Sequence, residues 1–450
     1  MEPQPQRAQH APTDSVRIAA DRAAAAATLW PTVQQLLGVI QGDPELQRIA
    51  ANLELTRDRA VDDRQRATLF NALTPRIGQV PSLAKMRRDD LIIAGELAYD
   101  ELLGISVVGP FWRDDTISEI LIDGWDRVVI ERAGRLEATP VRFRDFEHVR
   151  SVARNLALVT SDRALSAATP AITADVSGAR VAFTVDKIVK SGIAIAIRKF
   201  GKLMDADGLL NVKAWDIEMR DFLADCVRAR ANILVSGGTG AGKTTLINAL
   251  SSFIPANERV VTIEDAFELQ LRTPYWVQLQ TKEAASSDDE VRVTLADLLK
   301  HTLRLRPDRI VIGEIREPSG AVVMLQSANT GHDGTMTTIH ANNAFQALNF
   351  RLAFLARTGG NMEQEVAAME VASAIDVVVQ VVREQGKRFV QSISVVDSSD
   401  CDGGRINPHE VFQGSLVDGI QTFTRTGPLP EGTSLTSKLA GAGVLERWRS

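Results

Sequence analysis

The sequence predicts an α/β protein, with a parallel-sheet domain in the second half, a small α+β domain before it and a run of helices at the start. Three observations carry this. The apolar run Ile233-Leu234-Val235 passes through a glycine loop into Leu246, Ile247, Leu250 and Phe253, which fall on one helical face. Beyond it, strand-like and helical patterns alternate, as they do where helices cover a parallel sheet. Between Gly109 and Phe200, short alternating runs broken by Asp123-Gly124, Ala133-Gly134 and Ser177-Gly178 describe antiparallel strands.

At 450 residues the chain exceeds one ordinary core. The expected division is a helical arm with a disordered start over 1–100, an α+β domain over 101–200, a linker over 201–212 and the parallel-sheet domain over 213–450. Apolar residues make up 44% and charged residues 24%, as in a globular protein. A net charge of −6 argues against bulk electrostatic binding of nucleic acid, which needs a concentrated basic surface. Cys226 and Cys401 are far apart and have no metal-ligand spacing. No apolar run reaches the roughly 18 residues that span a bilayer, so a cytoplasmic protein with only peripheral membrane contact is expected.

In order along the chain, Pro and Gln up to Ser15 suggest disorder, and the segment from Arg17 to Ile40 suggests helix broken at Pro31 and again near Gly42. Arg88 to Leu103 follows as another helix. Ile120-Leu121-Ile122, Val128-Val129-Ile130 and a third short run make a meander, Arg144 to Leu158 a helix, and Ile193, Ile195 and Ile197 a last strand. Asp205, Asp207 and Gly208 mark the linker. Arg259 to Ile263 is a strand closed by Glu264-Asp265. Ser287 and Glu290 suggest a capping box for a helix that presents Val291, Leu295, Leu299 and Leu303 and stops at Pro307. Ile310-Val311-Ile312 and Met336 to Ile339 are strands, and Val377–Val382 with Phe389–Val396 a hairpin. The last fifty residues are loosely patterned.

The glycine loop carries the chemistry. In Gly237-Gly238-Thr239-Gly240-Ala241-Gly242-Lys243-Thr244-Thr245, missing Cβ atoms let successive N–H groups point inward at phosphates. Lys243 supplies a point charge, the Thr244 hydroxyl suits Mg²⁺, and the following helix adds its N-terminal dipole. Three further strand ends are polar: Glu264-Asp265, Gly313-Glu314, and Thr338 with His340. A carboxylate there can orient water or hold Mg²⁺ through a water, so Glu264 and Glu314 are the candidates. The aspartate usual after such a strand is missing, since Gly313 stands there. His332 and His340 invite a sensor role, and the spacing of His332, Asp333 and His340 leaves a metal site open. Arg316, Arg306, Arg198 and Arg180 are the arginines considered for stabilising a transferring phosphoryl group.

These blocks together resemble the type II and type IV secretion and pilus-assembly ATPases, most nearly the CpaF-type ATPases of tight-adherence (Flp) pili. The Walker A motif corresponds to Gly237–Thr244 and the Asp box to Thr262–Asp265. The atypical Walker B corresponds to Arg306–Arg309 running into Gly313–Arg316, and the His box to Thr330–Asn342; the match covers about residues 100 to 395. The resemblance implies a RecA-like P-loop NTPase motor domain preceded by a small α+β (PAS-like) N-terminal domain and a helical arm. It implies a homo-hexamer that hydrolyses ATP with Mg²⁺ and pushes on an inner-membrane platform protein of a pilus or secretion machine; from the acidic balance, no direct nucleic acid partner is expected. Glu264, Glu314 and Arg316 would serve catalysis, His332 and His340 would sense the γ-phosphate, and Arg198 and Arg180 would reach the nucleotide. Asp186–Ser191 lacks the prolines associated with that region, and Ser161–Thr169 fits poorly. Absent C-x-x-C pairs point away from the type II secretion branch. A conjugation ATPase and a nucleotide-gated assembly protein with little hydrolysis remain as alternatives, and a DNA-translocating motor is disfavoured by the acidic balance.

Overall fold

The computed structural model describes residues 14–160, 165–166, 169–201, 204–282 and 292–449. It divides into two units, Met1–Gly201 and Lys202–Ser450. Most of the stretch expected to be disordered, and the capping pair Ser287 and Glu290, lie outside the described residues.

The first unit opens with helices α1 (Asp14–Gly42), α2 (Pro44–Ala51), α3 (Arg59–Ile77), α4 (Pro81–Ala84), α5 (Arg88–Leu102) and α6 (Gly109–Arg113). The expected break at Pro31 falls elsewhere: Pro31 stays inside α1, and the axis turns by 85° between Ala26 and Thr28. The reason is local, because a proline ring collides with the carbonyl four residues earlier, here that of Ala27. At Gly42 the break is real. Asp43 caps α2, accepting the N–H groups of Glu45 and Leu46, with Pro44 at the first helical position. Among the described residues no single helix is long and apolar enough to cross a membrane; the two halves of α1 pass that test only together, across the bend.

Strands β1 (Ile117–Asp123), β2 (Val128–Arg132) and β3 (Arg135–Ala138), helix α7 (Phe146–Thr160), and strands β4 (Ala171–Val176), β5 (Ala179–Val185) and β6 (Ile193–Lys199) complete the unit. The sheet runs β3-β2-β1-β6-β5-β4, with antiparallel neighbours throughout. One hydrophobic core spans Val16 to Ile197, so the helices expected as an arm share their core with the sheet. A charged network is buried where α1, α3, α5 and α6 meet. Arg113 reaches both Asp62 (2.8 Å) and Asp100 (2.5 Å), Arg22 also holds Asp100, and the Tyr99 hydroxyl donates to Asp62. Gly109 leaves that space open, since a Cβ there would collide with the Asp100 carboxylate.

The second unit begins with α8 (Ala206–Asn211), so the expected linker carries a helix whose Ala206 and Leu209 are buried in this unit's core. Then come α9 (Ile217–Arg228), β7 (Ile233–Gly237), α10 (Lys243–Ser251), β8 (Val260–Glu264), β9 (Trp276–Gln280), α11 (Leu295–Thr302), β10 (Arg309–Ile312), α12 (Pro318–Asn329) and β11 (Met336–Ile339). After α13 (Ala344–Gln346), a π-helical turn over Ala347–Leu352, α14 (Ala353–Gly360) and α15 (Gln364–Ala374), the chain forms β12 (Val377–Glu384), β13 (Lys387–Val395), β14 (Cys401–Asp402), β15 (Arg405–Ile406), β16 (His409–Val417), β17 (Ile420–Arg425) and α16 (Ser434–Gly441). Helix α11 starts later than expected. Thr294 and Asp297 form its capping box, while Val293 pairs as a β-bridge with Lys282.

Nine strands form one sheet in the order β17-β16-β13-β12-β7-β11-β10-β8-β9. From β12 to β9 the pairs are parallel, and the hairpins beyond β12 are antiparallel. Ile233–Gly237 and Ile310–Ile312 are buried at every position, because helices cover both faces of the sheet. The loosely patterned last fifty residues are therefore partly sheet, and Trp448 closes the core against Phe222.

Candidate active site

Parallel strands end on the same edge, so the carboxyl ends of β12, β7, β11, β10 and β8 stand side by side. Which side chains share a face follows from the alternation along each strand. Val260, Val311 and Met336 pack in one core with Leu246 and Ile247 of α10. Two or four residues on, the same alternation turns Glu264 and Thr338 toward the face that α10 covers, and Gly313 lies beside Glu264.

The glycine loop joins β7 to α10. Gly240 (φ +70°) and Gly242 (φ +105°) take left-handed conformations that a side chain would strain, and Gly242 is the N-cap of α10. Gly237 has no room for a Cβ, which would meet the Val381 carbonyl oxygen at 2.5 Å. Lys243 Nζ donates to the carbonyls of Gly237 (3.0 Å) and Gly238 (3.4 Å), tying the loop's entry to its exit. Thr244 Oγ1 points at Glu268 Oε2, 3.4 Å away.

The acids divide into two groups. Glu264 is 3% exposed, and its Oε1 accepts the N–H groups of Glu268 (2.9 Å) and Leu269 (2.7 Å), so it shapes the turn that carries Glu268 to Thr244. On the next strand, Glu314 Oε2 accepts two hydrogen bonds from Arg316, whose other arm reaches Asp265. Burial makes the Arg316 guanidinium a weaker base, and the hydrogen bond and charge of Glu314 more than offset this. Thr338 donates to the Gly313 carbonyl at 2.6 Å, which fixes the start of that loop.

The histidines part company. His340 is exposed at the carboxyl end of β11, in line with the loop. His332 and Asp333 lie before the amino end of that strand, where Asn232 accepts the N–H groups of Gly334 and Thr335. Four strand residues rise roughly 13 Å, so His332 does not join His340, and the metal site left open by their spacing does not form. Among the described residues no three His, Cys, Asp or Glu side chains converge on a metal position. Gly334 has a structural reason, because its Cβ would strike Arg309. Arg309 is buried and paired with Glu258, and Asp308 accepts the Arg259 N–H. This part of the block is therefore amino-edge structure, and Arg306 beside it is exposed. In the first unit, Arg180 lies 3.8 Å from Asp175 and Arg198 lies 3.7 Å from Glu119.

Three residues at this edge were not among the candidates: Glu268, Arg383 and Arg388. A third acid four residues after Glu264 was a readable signal. Nothing in the sequence points to the two arginines, which a hairpin brings to the loop.

Residues 102–413 match the family described as type II/IV secretion system protein. A Mycobacterium tuberculosis (strain ATCC 25618 / H37Rv) protein, whose name provisionally assigns it to conjugal transfer, is 32% identical over 69% of this chain and 89% of its own length. Conjugal transfer protein TrbB of Rhizobium radiobacter is 35% identical over 46% of this chain and 61% of its own. The solved VirB11 ATPase of the Brucella suis type IV secretion system, in complex with sulphate, is 26% identical, with a TM-score of 0.35 over 64% of this chain and 91% of that one.

Proposed function

We propose that this chain, which belongs to the type II/IV secretion system ATPase family, couples ATP hydrolysis to pilus assembly or secretion at the inner face of the cell membrane. One observation carries the reading: the glycine loop with Lys243, the buried Glu264 and the Glu314–Arg316 pair share one edge of a parallel sheet.

Phosphoryl transfer asks a protein for positioning and charge. The loop N–H groups, the α10 N-terminus and Lys243 hold the β- and γ-phosphates. Thr244, beside Glu268, would hold a Mg²⁺ ion, with Glu314 acting through a water. The ion would supply positive charge to the phosphates. Glu264 spends its Oε1 on backbone donors and therefore positions the turn. Glu314, on the neighbouring strand end, orients the attacking water, with Arg316 fixing its rotamer. His340 reads the γ-phosphate, and Arg198 and Arg180 are the first unit's candidates for the developing charge.

The working form is a homo-hexamer acting on an inner-membrane platform protein, of the CpaF type that assembles tight-adherence pili. The test is Mg²⁺-dependent ATP turnover by the purified chain. Lys243→Ala should abolish it, and Glu314→Gln should lower kcat about a hundredfold while ATP still binds; turnover by Lys243→Ala equal to wild type would sink the reading. A second reading, DNA conjugation, is favoured by the names of the M. tuberculosis and R. radiobacter relatives. A deletion strain separates the two: loss of pili with plasmid transfer intact supports the first, and the converse supports the second.

A further inference from the structure

The hairpin of β12 and β13 brings two arginines to the glycine loop. Arg383 and Arg388 are direct cross-strand partners. Arg388 Nε donates to the Gly240 carbonyl at 2.8 Å, and its Cδ stands 3.7 Å from where Gly242 would carry a Cβ. Arg383 Nη1 stands 3.7 Å from the corresponding point on Gly240. Both flank the loop that receives polyphosphate.

Peptide geometry adds a second argument. In a trans peptide the carbonyl of Gly240 and the N–H of Ala241 point in opposite directions, so a guanidinium that holds one sets the other. That N–H now closes on the Gly238 carbonyl at 3.3 Å. The peptide that Arg388 grips is therefore part of the loop's own turn.

We propose that Arg383 and Arg388 form an arginine pair, supplied by the same chain, that orients the Gly240–Ala241 peptide and draws the nucleotide's phosphate tail into the loop. Arg388 is a positioning residue and Arg383 contributes charge. The proposal rests on the ATPase reading above. Its signature lies in KM and phosphate affinity, since neither arginine is near the Glu314 strand end where water is oriented.

The experiment compares full-length wild type, Arg383→Gln, Arg388→Gln and Arg388→Lys in binding a fluorescent ATP analogue with Mg²⁺, with inorganic tripolyphosphate and adenosine as competitors. Each glutamine variant should bind the analogue and tripolyphosphate about tenfold more weakly, the loss of one charge-assisted contact. Adenosine should compete as before, KM should rise with kcat changed less than about threefold, and Arg388→Lys should recover most of the affinity. Wild-type tripolyphosphate affinity in both glutamine variants would overturn the arginine pair and leave the ATPase reading standing. A wild type that binds no nucleotide would overturn both.

Discussion

Glu264 lies against the bare Cα of Gly313, so closely that the Cβ Gly313 lacks would stand 3.3 Å from Glu264 Cγ. This accounts for the aspartate missing from the end of β10. The neighbouring strand sends its own acid across that position, and any side chain at 313 would displace it. Gly313→Ala should therefore push Glu264 off the N–H groups of Glu268 and Leu269 by a few tenths of an ångström. We expect kcat to fall about tenfold through misplacement of the turn, with ATP affinity held within about threefold because the contacts of Lys243 are untouched. Steady-state turnover beside equilibrium ATP binding checks this; equal losses in both would mean that the loop itself had collapsed.

The two histidines of one motif should behave differently. His340 stands on the carboxyl edge in line with Gly237, whereas His332 precedes β11 on the amino edge. His340→Ala should lower kcat about tenfold with little change in melting temperature. His332→Ala should leave the single-turnover rate of bound ATP within about twofold, so its effect, if any, will be on stability. A rapid-quench single-turnover measurement on both variants decides.

Trp448 tests whether the terminal segment is part of the second unit's fold. It is 2% exposed, meets Phe222 edge-on at 5.2 Å, and its Nε1 donates to Asp225. Trp448→Ala should cost about 3 kcal/mol of stability in the second unit, read as a lower urea midpoint. An unchanged midpoint would mean that the terminal segment is an appendage.

That segment illustrates what the sequence conceals. The glycine loop, Glu264 and Glu314 were legible because each sits in a run of consecutive residues whose chemistry follows from a strand, a turn and a helix start. His332 misled, since eight residues along a chain that crosses the sheet separate two edges rather than join one site. Thr294 and Asp297 cap α11 by the same rule that suggested Ser287 and Glu290, and only the β-bridge at Val293 decides where the helix begins. Arg383 and Arg388 were illegible for another reason. Their proximity to Gly240 comes from the pairing of β12 beside β7, a contact across more than a hundred residues that no local pattern encodes.

The buried charges of the first unit set its acid stability. Burial alone would raise the Asp62 carboxyl, but the hydrogen bond and charge of Arg113, the charge of Arg66 and the Tyr99 hydroxyl outweigh it and hold it below the ordinary carboxylate range. A depressed folded-state value means that the contribution is present in full above the unfolded value near 4 and is lost as pH falls through the folded one. Asp62→Asn removes that contribution and leaves Arg113 with Asp100 as its remaining acid partner in the network. We expect a loss of about 3 kcal/mol at pH 7, the usual cost of breaking a buried pair, and a gap from wild type that narrows below about pH 4. Urea unfolding of the two proteins at pH 7, 5 and 3.5 measures it. A gap that stays constant down to pH 3.5 would show that Asp62 acts through its shape and hydrogen bonds, and that its charge is not what Arg113 holds.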